Sequence, residues 1–255
     1  MQNRRSKDVP VLEVCVDSVA SAIAAEKGGG DRLELCSNLI IGGTSPSPAL
    51  YQEVRKHTSI PIRVLLRPRF GDFCYNDYEF EILKEEVRIF QKLGADGVVV
   101  GILKPNGELD MERMKMLCEL AGDMTITLHR AFHVCKDPME TLEQAKHLGI
   151  DTILTSGQKN NCIDGKELLR DLVKCAEDDI EILIGSGVNA GVISELAPYT
   201  GAMAFHLSGK KECNSAMKYR KDDVAMGLSL MSEYIIWQTD EEMIRQAKQS
   251  LLDIE

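Results

Sequence analysis

No C-x-x-C pair occurs in this chain of 255 residues, and its eight cysteines, at 15, 36, 74, 118, 135, 162, 175 and 213, show none of the spacings of a structural zinc site. They read as scattered reduced thiols of an intracellular protein. Long apolar runs are also missing. GVVVGIL, residues 97–103, is among the longest, far short of the roughly 20 residues that cross a bilayer. No apolar segment follows the basic start Asn3–Lys7, so no secretory leader is expected, and the chain reads as soluble with no membrane partner. Beyond that start there is no basic run. A formal net charge of −10 and a pI near 5.1 exclude a general nucleic-acid binder.

A hydrophobic content of 44% is enough for one large core. Residues 1–9 are expected to form a frayed tail and 10–255 a single domain. Short β-rich runs alternate with helical segments, the pattern of repeated βα units on a parallel sheet. The strands read VLEVCV (11–16), RLELC (32–36), IRVLLRPR (62–69), GVVVG (97–101), TITLHR (125–130), TILTSG (152–157), EILIGSG (181–187) and MAFHLSG (203–209). Eight such units predict a (β/α)8 TIM barrel, an α/β fold. Gly29, Gly94, Gly149 and Gly201 each stand just before an even-numbered strand, where a helix ends on a left-handed residue. Phe80, Leu83, Val87 and Phe90 recur at helical spacing and predict a stripe against the sheet. Asp137-Pro-Met-Glu140 and Thr239–Glu242 read as capping boxes, and 240–253 as the eighth or a supplementary helix.

In a parallel barrel one strand face packs under helices and the other faces the interior. Leu12, Val14 and Val16 take the helix side, which sends Glu13 and Cys15 inward. The same parity sends Arg32, Glu34 and Cys36, then Arg63, Arg67 and Arg69, then Thr127 and His129, then His206 and Ser208 inward. Glu13, Glu34, Arg67, Arg69, His129 and His206 are expected to converge at the C-terminal ends of the strands, where barrel enzymes assemble their sites. Such a set could be a self-satisfied ionic network, but buried ion pairs fill space at a cost compared with apolar residues. An acid–base site on a small anionic or phosphorylated metabolite is the alternative, with His129 or His206 moving the proton and Arg67 and Arg69 clamping the anion.

The stretch TLHRAFH, 127–133, carries two histidines four apart. On an extended chain they lie about 13 Å apart, a poor chelating pair unless the loop folds back. Gly185, Ser186 and Gly187 after strand seven, with Ser208 and Gly209 after strand eight, offer backbone amides to an anion. They serve equally as tight turns. Cys15 and Cys36 lie on adjacent strands about 4.8 Å apart. Two inward thiols suit a soft Cu(I) ion, although cysteine is also a common buried residue. The eight strands contain no lysine for Schiff-base chemistry, and strand one lacks His-x-His.

LEVCVDS (12–18), RLELCSNLIIGGTSPS (32–47), RVLLRPRFGDFCY (63–75), TLHRAF (127–132), ILTSG (153–157) and FHLSG (205–209) together resemble the CutC copper homeostasis proteins, in order from about Leu12 to Met231. AMKYRKDDVAMGLSL near the end looks like the animal branch. The resemblance implies a (β/α)8 barrel, cytoplasmic and in animals partly nuclear, that binds Cu(I), with Cys15 and Cys36 at the positions of the copper ligands. It also implies a homodimer or homotetramer. One departure stands out: His133 occupies a position where the family usually carries aspartate.

Overall fold

Each strand of the sheet is only four to six residues long, and the eight close on themselves: β1 (Val11–Val16), β2 (Arg32–Leu35), β3 (Ile62–Leu65), β4 (Gly97–Val100), β5 (Thr125–Leu128), β6 (Thr152–Thr155), β7 (Glu181–Ile184) and β8 (Ala204–Leu207). All neighbours are parallel, and β8 returns to β1 through Val11↔Ala204 and Glu13↔His206. The structure is a computed structural model and describes residues 9–254 apart from 222, 225 and 228–230. All but Val9 of the expected tail therefore lies outside the described residues.

Helices α1 (Val19–Lys27), α2 (Pro48–His57), α3 (Asp77–Lys92), α4 (Met111–Ala121), α5 (Pro138–His147), α6 (Lys166–Ala176) and α7 (Ala190–Thr200) each follow the strand of the same number, and α8 (Glu241–Leu252) closes the set. The expected (β/α)8 barrel is thus the observed fold. Leu12, Val14, Val16, Leu33, Leu35, Ile62 and Val64 belong to the main core between sheet and helices, as strand parity predicts. Phe80, Leu83, Val87 and Phe90 are the four buried residues of α3. Gly29, Gly94, Gly149 and Gly201 all have positive φ, from 71° to 92°, a conformation that costs other residues a clash with Cβ.

Three local expectations need correcting. The N-cap of α8 is Asp240, which accepts from the amides of Glu242 and Met243, one residue later than Thr239. At α5, Asp137 caps as expected, but the Glu140 carboxylate accepts from Gln144 instead of closing a box. β8 does not lead into a helix: an antiparallel hairpin, β9 (Lys210–Asn214) against β10 (Ile235–Thr239), intervenes. Its first strand, KKECN, is exposed apart from a half-buried Cys213, so no one-sided apolar alternation marks it. The hairpin is tied back where β10 meets loop eight, through Thr239 Oγ1 to Ser208 O and Asp240 N to Gly209 O.

Candidate functional site

Two polar layers occupy the barrel interior beside two small apolar clusters, one of Val11, Leu154, Leu183 and Ala204 and one of Leu65 and Val99 with the thiols. In the lower layer Glu13 is fully buried, and the Arg32 Nε donates to its Oε2. Arg32 Nη2 reaches Glu181 Oε2 at 2.6 Å. Arg63 Nη1 donates to Thr127 Oγ1 at 2.9 Å and Thr152 Oγ1 at 3.0 Å, and Thr152 donates on to Glu181. Burial alone would raise the Glu13 pKa, but Arg32, His206 and Arg63 overcome it and hold the carboxyl well below the usual range. Every charge here has a partner. Gly97 leaves the room this needs, because a Cβ there would meet Thr125 Oγ1 at 2.2 Å and Arg63 Cγ at 3.1 Å.

Above this layer opens a cavity of about 680 Å3 at the C-terminal ends of the strands. Cys15 lies on its floor, the fully buried Cys36 does not line it, and their sulfurs are 3.7 Å apart; Cys15 Sγ donates to Glu34 Oε2 at 3.0 Å. His206 Nδ1 is 2.9 Å from Glu13 Oε1 and its Nε2 is 3.8 Å from Glu34 Oε2. One ligand atom each from Cys15, Glu34 and His206 fall within 4.8 Å of one another. The hydrogen bond with Cys36, reinforced by burial and by the Glu34 charge, holds the Cys15 thiol well above its ordinary pKa. Burial would lower the pKa of His206, but the carboxylates of Glu34 and Glu13 and the Cys15 sulfur raise it far above 6.5. The ring is therefore an imidazolium between two acids. Burial also pushes Glu34 upward; the His206 charge opposes that and the Glu13 charge adds to it.

Higher in the cavity, the chain leaves β5 in a 3-10 turn, Arg130–Val134. The extended separation expected for His129 and His133 does not arise, and both line the cavity. Gly101 makes this possible: a Cβ there would sit 2.6 Å from the His129 ring. The His129 Nδ1 accepts from the Ala131 amide, so its proton is assigned to Nε2, which has no hydrogen-bond partner. Ser156 Oγ gives its proton to Lys159 O at 2.6 Å and lies 3.2 Å from His133 Nδ1. His133 Nδ1 must then be the donor, which leaves a bare lone pair on its Nε2, also unpartnered. Burial first, with Arg67 beside His129 and Arg130 beside His133, lowers both pKa values to about 3. The two rings are neutral, one a donor and one an acceptor.

Not every predicted residue joins them. Arg67 lines the cavity, but its Nη atoms go to the carbonyls of Gly42, Gly43 and Gly71 and only Nε is left unpaired. Arg69 is not among the cavity-lining residues. It pairs with Glu79 and Asp72 and ties its own loop to α3, because the chain bends after Arg67 and strand parity lapses there. Glu13 lies beneath the floor and holds His206. Gly185 packs against Leu154 and His206, whereas Ser186, Gly187, Ser208 and Gly209 do line the cavity. Only the first of the two glycine loops precedes a helix, α7, whose N-terminus Asn189 already caps.

Sequence reasoning passed over Arg130, Phe73 and Lys210, which also line the cavity. Parity would send Arg130 outward, and the 3-10 turn reverses that. Phe73 stacks on the His129 ring at 4.8 Å and under the Arg67 guanidinium at 5.0 Å.

Residues 10–211 match the model of the CutC family. A human copper homeostasis protein cutC homolog is 41% identical over 236 residues, covering 92% of this chain and 86% of that protein. A family protein CutC from Chromobacterium violaceum is 39% identical over 241 residues, 94% and 98% of the two chains. The crystal structure of CutC from Streptococcus agalactiae superposes with a TM-score of 0.75 at 31% identity, over 78% of this chain and 99% of that one. Thiamine phosphate pyrophosphorylase from Pyrococcus furiosus, at TM-score 0.56 and 14% identity over 97% of each chain, shares the fold alone.

Proposed function

The chain belongs to the CutC family, and on that premise we propose that it serves copper homeostasis by holding Cu(I) between Cys15 and Cys36. The observation that carries this reading is the pair of buried sulfurs 3.7 Å apart, with Cys15 on the cavity floor and Cys36 behind it, a soft donor set of the kind that prefers Cu(I) to harder cations. Copper enters as cargo. Two thiolates and Cu(I) sum to one negative charge, and the neighbouring His206 imidazolium, fixed by Glu13, offsets it. His206 so protonated has no free lone pair and acts as a counter-charge, while both thiols give up their protons as copper enters.

Anaerobic titration with Cu(I) against a competing chelator tests this on the wild type and the Cys15→Ser, Cys36→Ser double variant. The expected outcome is tight binding that falls by at least about a hundredfold in the variant, or ~3 kcal/mol. Equal affinity in the two proteins would overturn it. A cytoplasmic and partly nuclear location and a homodimeric or homotetrameric state belong to the same reading. Imaging of a fluorescent fusion and light scattering on the purified chain are their tests.

A further inference from the structure

Copper held by two thiols leaves three polar groups of the cavity without employment. His129 Nε2 and His133 Nε2 are buried and unpaired, and so is Arg67 Nε. Arg130 lines the same cavity, and among the described residues its guanidinium has no hydrogen-bond or ion-pair partner. It follows His129 directly in the 3-10 turn, and its charge acts on Glu34, Arg67, His129 and His133. Unpaired buried polar atoms are costly and ask for a partner. Their chemistry defines it: His129 Nε2, Arg67 Nε and Arg130 are donors, and His133 Nε2 is a lone acceptor.

The charge balance narrows the ligand further. Arg67, Arg130, His206 and Lys210 line the cavity against the single carboxylate of Glu34, in a chain whose formal net charge is −10. Such a pocket takes an anion. A planar guanidinium matches a carboxylate in two parallel hydrogen bonds. The lone pair of His133 wants a donor on the same molecule, and an ammonium group is disfavoured by the surrounding positive charge. A hydroxyl remains. The dianion of a phosphate monoester would bring acceptors only and leave His133 unsatisfied.

We propose that the upper part of this cavity binds a small 2-hydroxy acid, its carboxylate on Arg130, Arg67 Nε and His129 Nε2 and its hydroxyl donating to His133 Nε2. The site is separate from the thiol pair and does not depend on copper.

Calorimetric titration of the reduced, metal-free full-length chain tests this with glycolate and L-malate, their deoxy counterparts acetate and succinate, and methyl phosphate. The wild type is expected to bind each hydroxy acid at least about tenfold more tightly than its deoxy partner. Arg130→Gln, a change at an exposed position, should weaken every carboxylate at least about tenfold. His133→Phe should erase the hydroxyl preference while leaving acetate and succinate unchanged. The Cys15→Ser, Cys36→Ser variant should bind like the wild type, which separates this site from the copper reading. Absence of hydroxy-acid binding in the millimolar range, tighter binding of methyl phosphate, or wild-type affinity in Arg130→Gln would each overturn the proposal.

Discussion

Glu13 and Glu34 are buried carboxylic acids on neighbouring strands of one barrel, and their surroundings push them in opposite directions. Glu13 meets Arg32 and the His206 ring and is held ionised. Glu34, one rung higher, meets the Cys15 thiol and a more distant His206, and its pKa rises. The same contrast separates the two layers as wholes. Below, Glu13, Arg32, Arg63, Glu181, Thr127 and Thr152 form a closed network. Above, two histidine nitrogens and one arginine nitrogen lack partners. The lower layer resembles a structural plug made of charges, and the upper one a site whose partners come from outside the chain.

The hardest test of this contrast is Arg32→Met, which takes the guanidinium from between Glu13 and Glu181 and leaves Glu13 to His206 and Arg63 and Glu181 to the Thr152 hydroxyl. A loss of about 3–5 kcal/mol is expected, read as a lower urea midpoint at unchanged slope. A loss below about 1 kcal/mol would mean that the lower network is replaceable and that the layers do not differ in kind.

The barrel itself was legible in the sequence. All eight strands fall inside their predicted runs, because apolar runs recur in every unit and the closing glycines in every second one. The lower layer was also legible, since side chains alternate strictly while the chain is extended. Legibility stopped where the strands stopped. Arg69 and Arg130 both lie beyond the last paired residue, and parity misplaced one into the cavity and the other out of it. The hairpin of β9 and β10 left little signal, because its exposed polar strand carries no buried face. Whether His129 and His133 would meet depended on a 3-10 turn that the motif TLHRAFH does not announce.

The upper layer should announce itself in acid. His133 has its folded pKa lowered to about 3, below the ordinary 6.5. As the pH falls through 6.5 the unfolded chain takes up a proton that the folded ring refuses, so stability is lost on acidification, beginning well above the carboxylate range. Between pH 6.5 and 5 this one ring accounts for about 1.6 kcal/mol, because the unfolded imidazole is already half protonated at 6.5 and the slope reaches ~1.4 kcal/mol per pH unit only below it. Urea unfolding at the two pH values measures it. His133→Phe should narrow the difference by that amount, while His129, depressed in the same way, keeps a similar loss in the variant. A wild type as stable at pH 5 as at 6.5 would mean that both rings accept protons in place, and that the upper layer is wetter than its buried nitrogens imply.

The smallest effect is the most discriminating. Glu34→Gln keeps an acceptor for the Cys15 thiol and changes only the charge. Burial pushes this carboxyl upward and the His206 charge pulls it back, so the amide relieves one effect and forfeits the other. The expected change in stability is below about 1 kcal/mol, by the same urea measurement, since the relief of a buried charge offsets the lost attraction to His206. Two opposing contributions set that small number: the His206 imidazolium loses a distant carboxylate at 3.8 Å, and Glu13 loses a like-charged neighbour. A cost comparable with that of Arg32→Met would make the Glu34 charge a structural member of the network below. The division between the layers would then run above Glu34, through the histidines alone, and the thiol pair would stand on a floor already fixed by ion pairs.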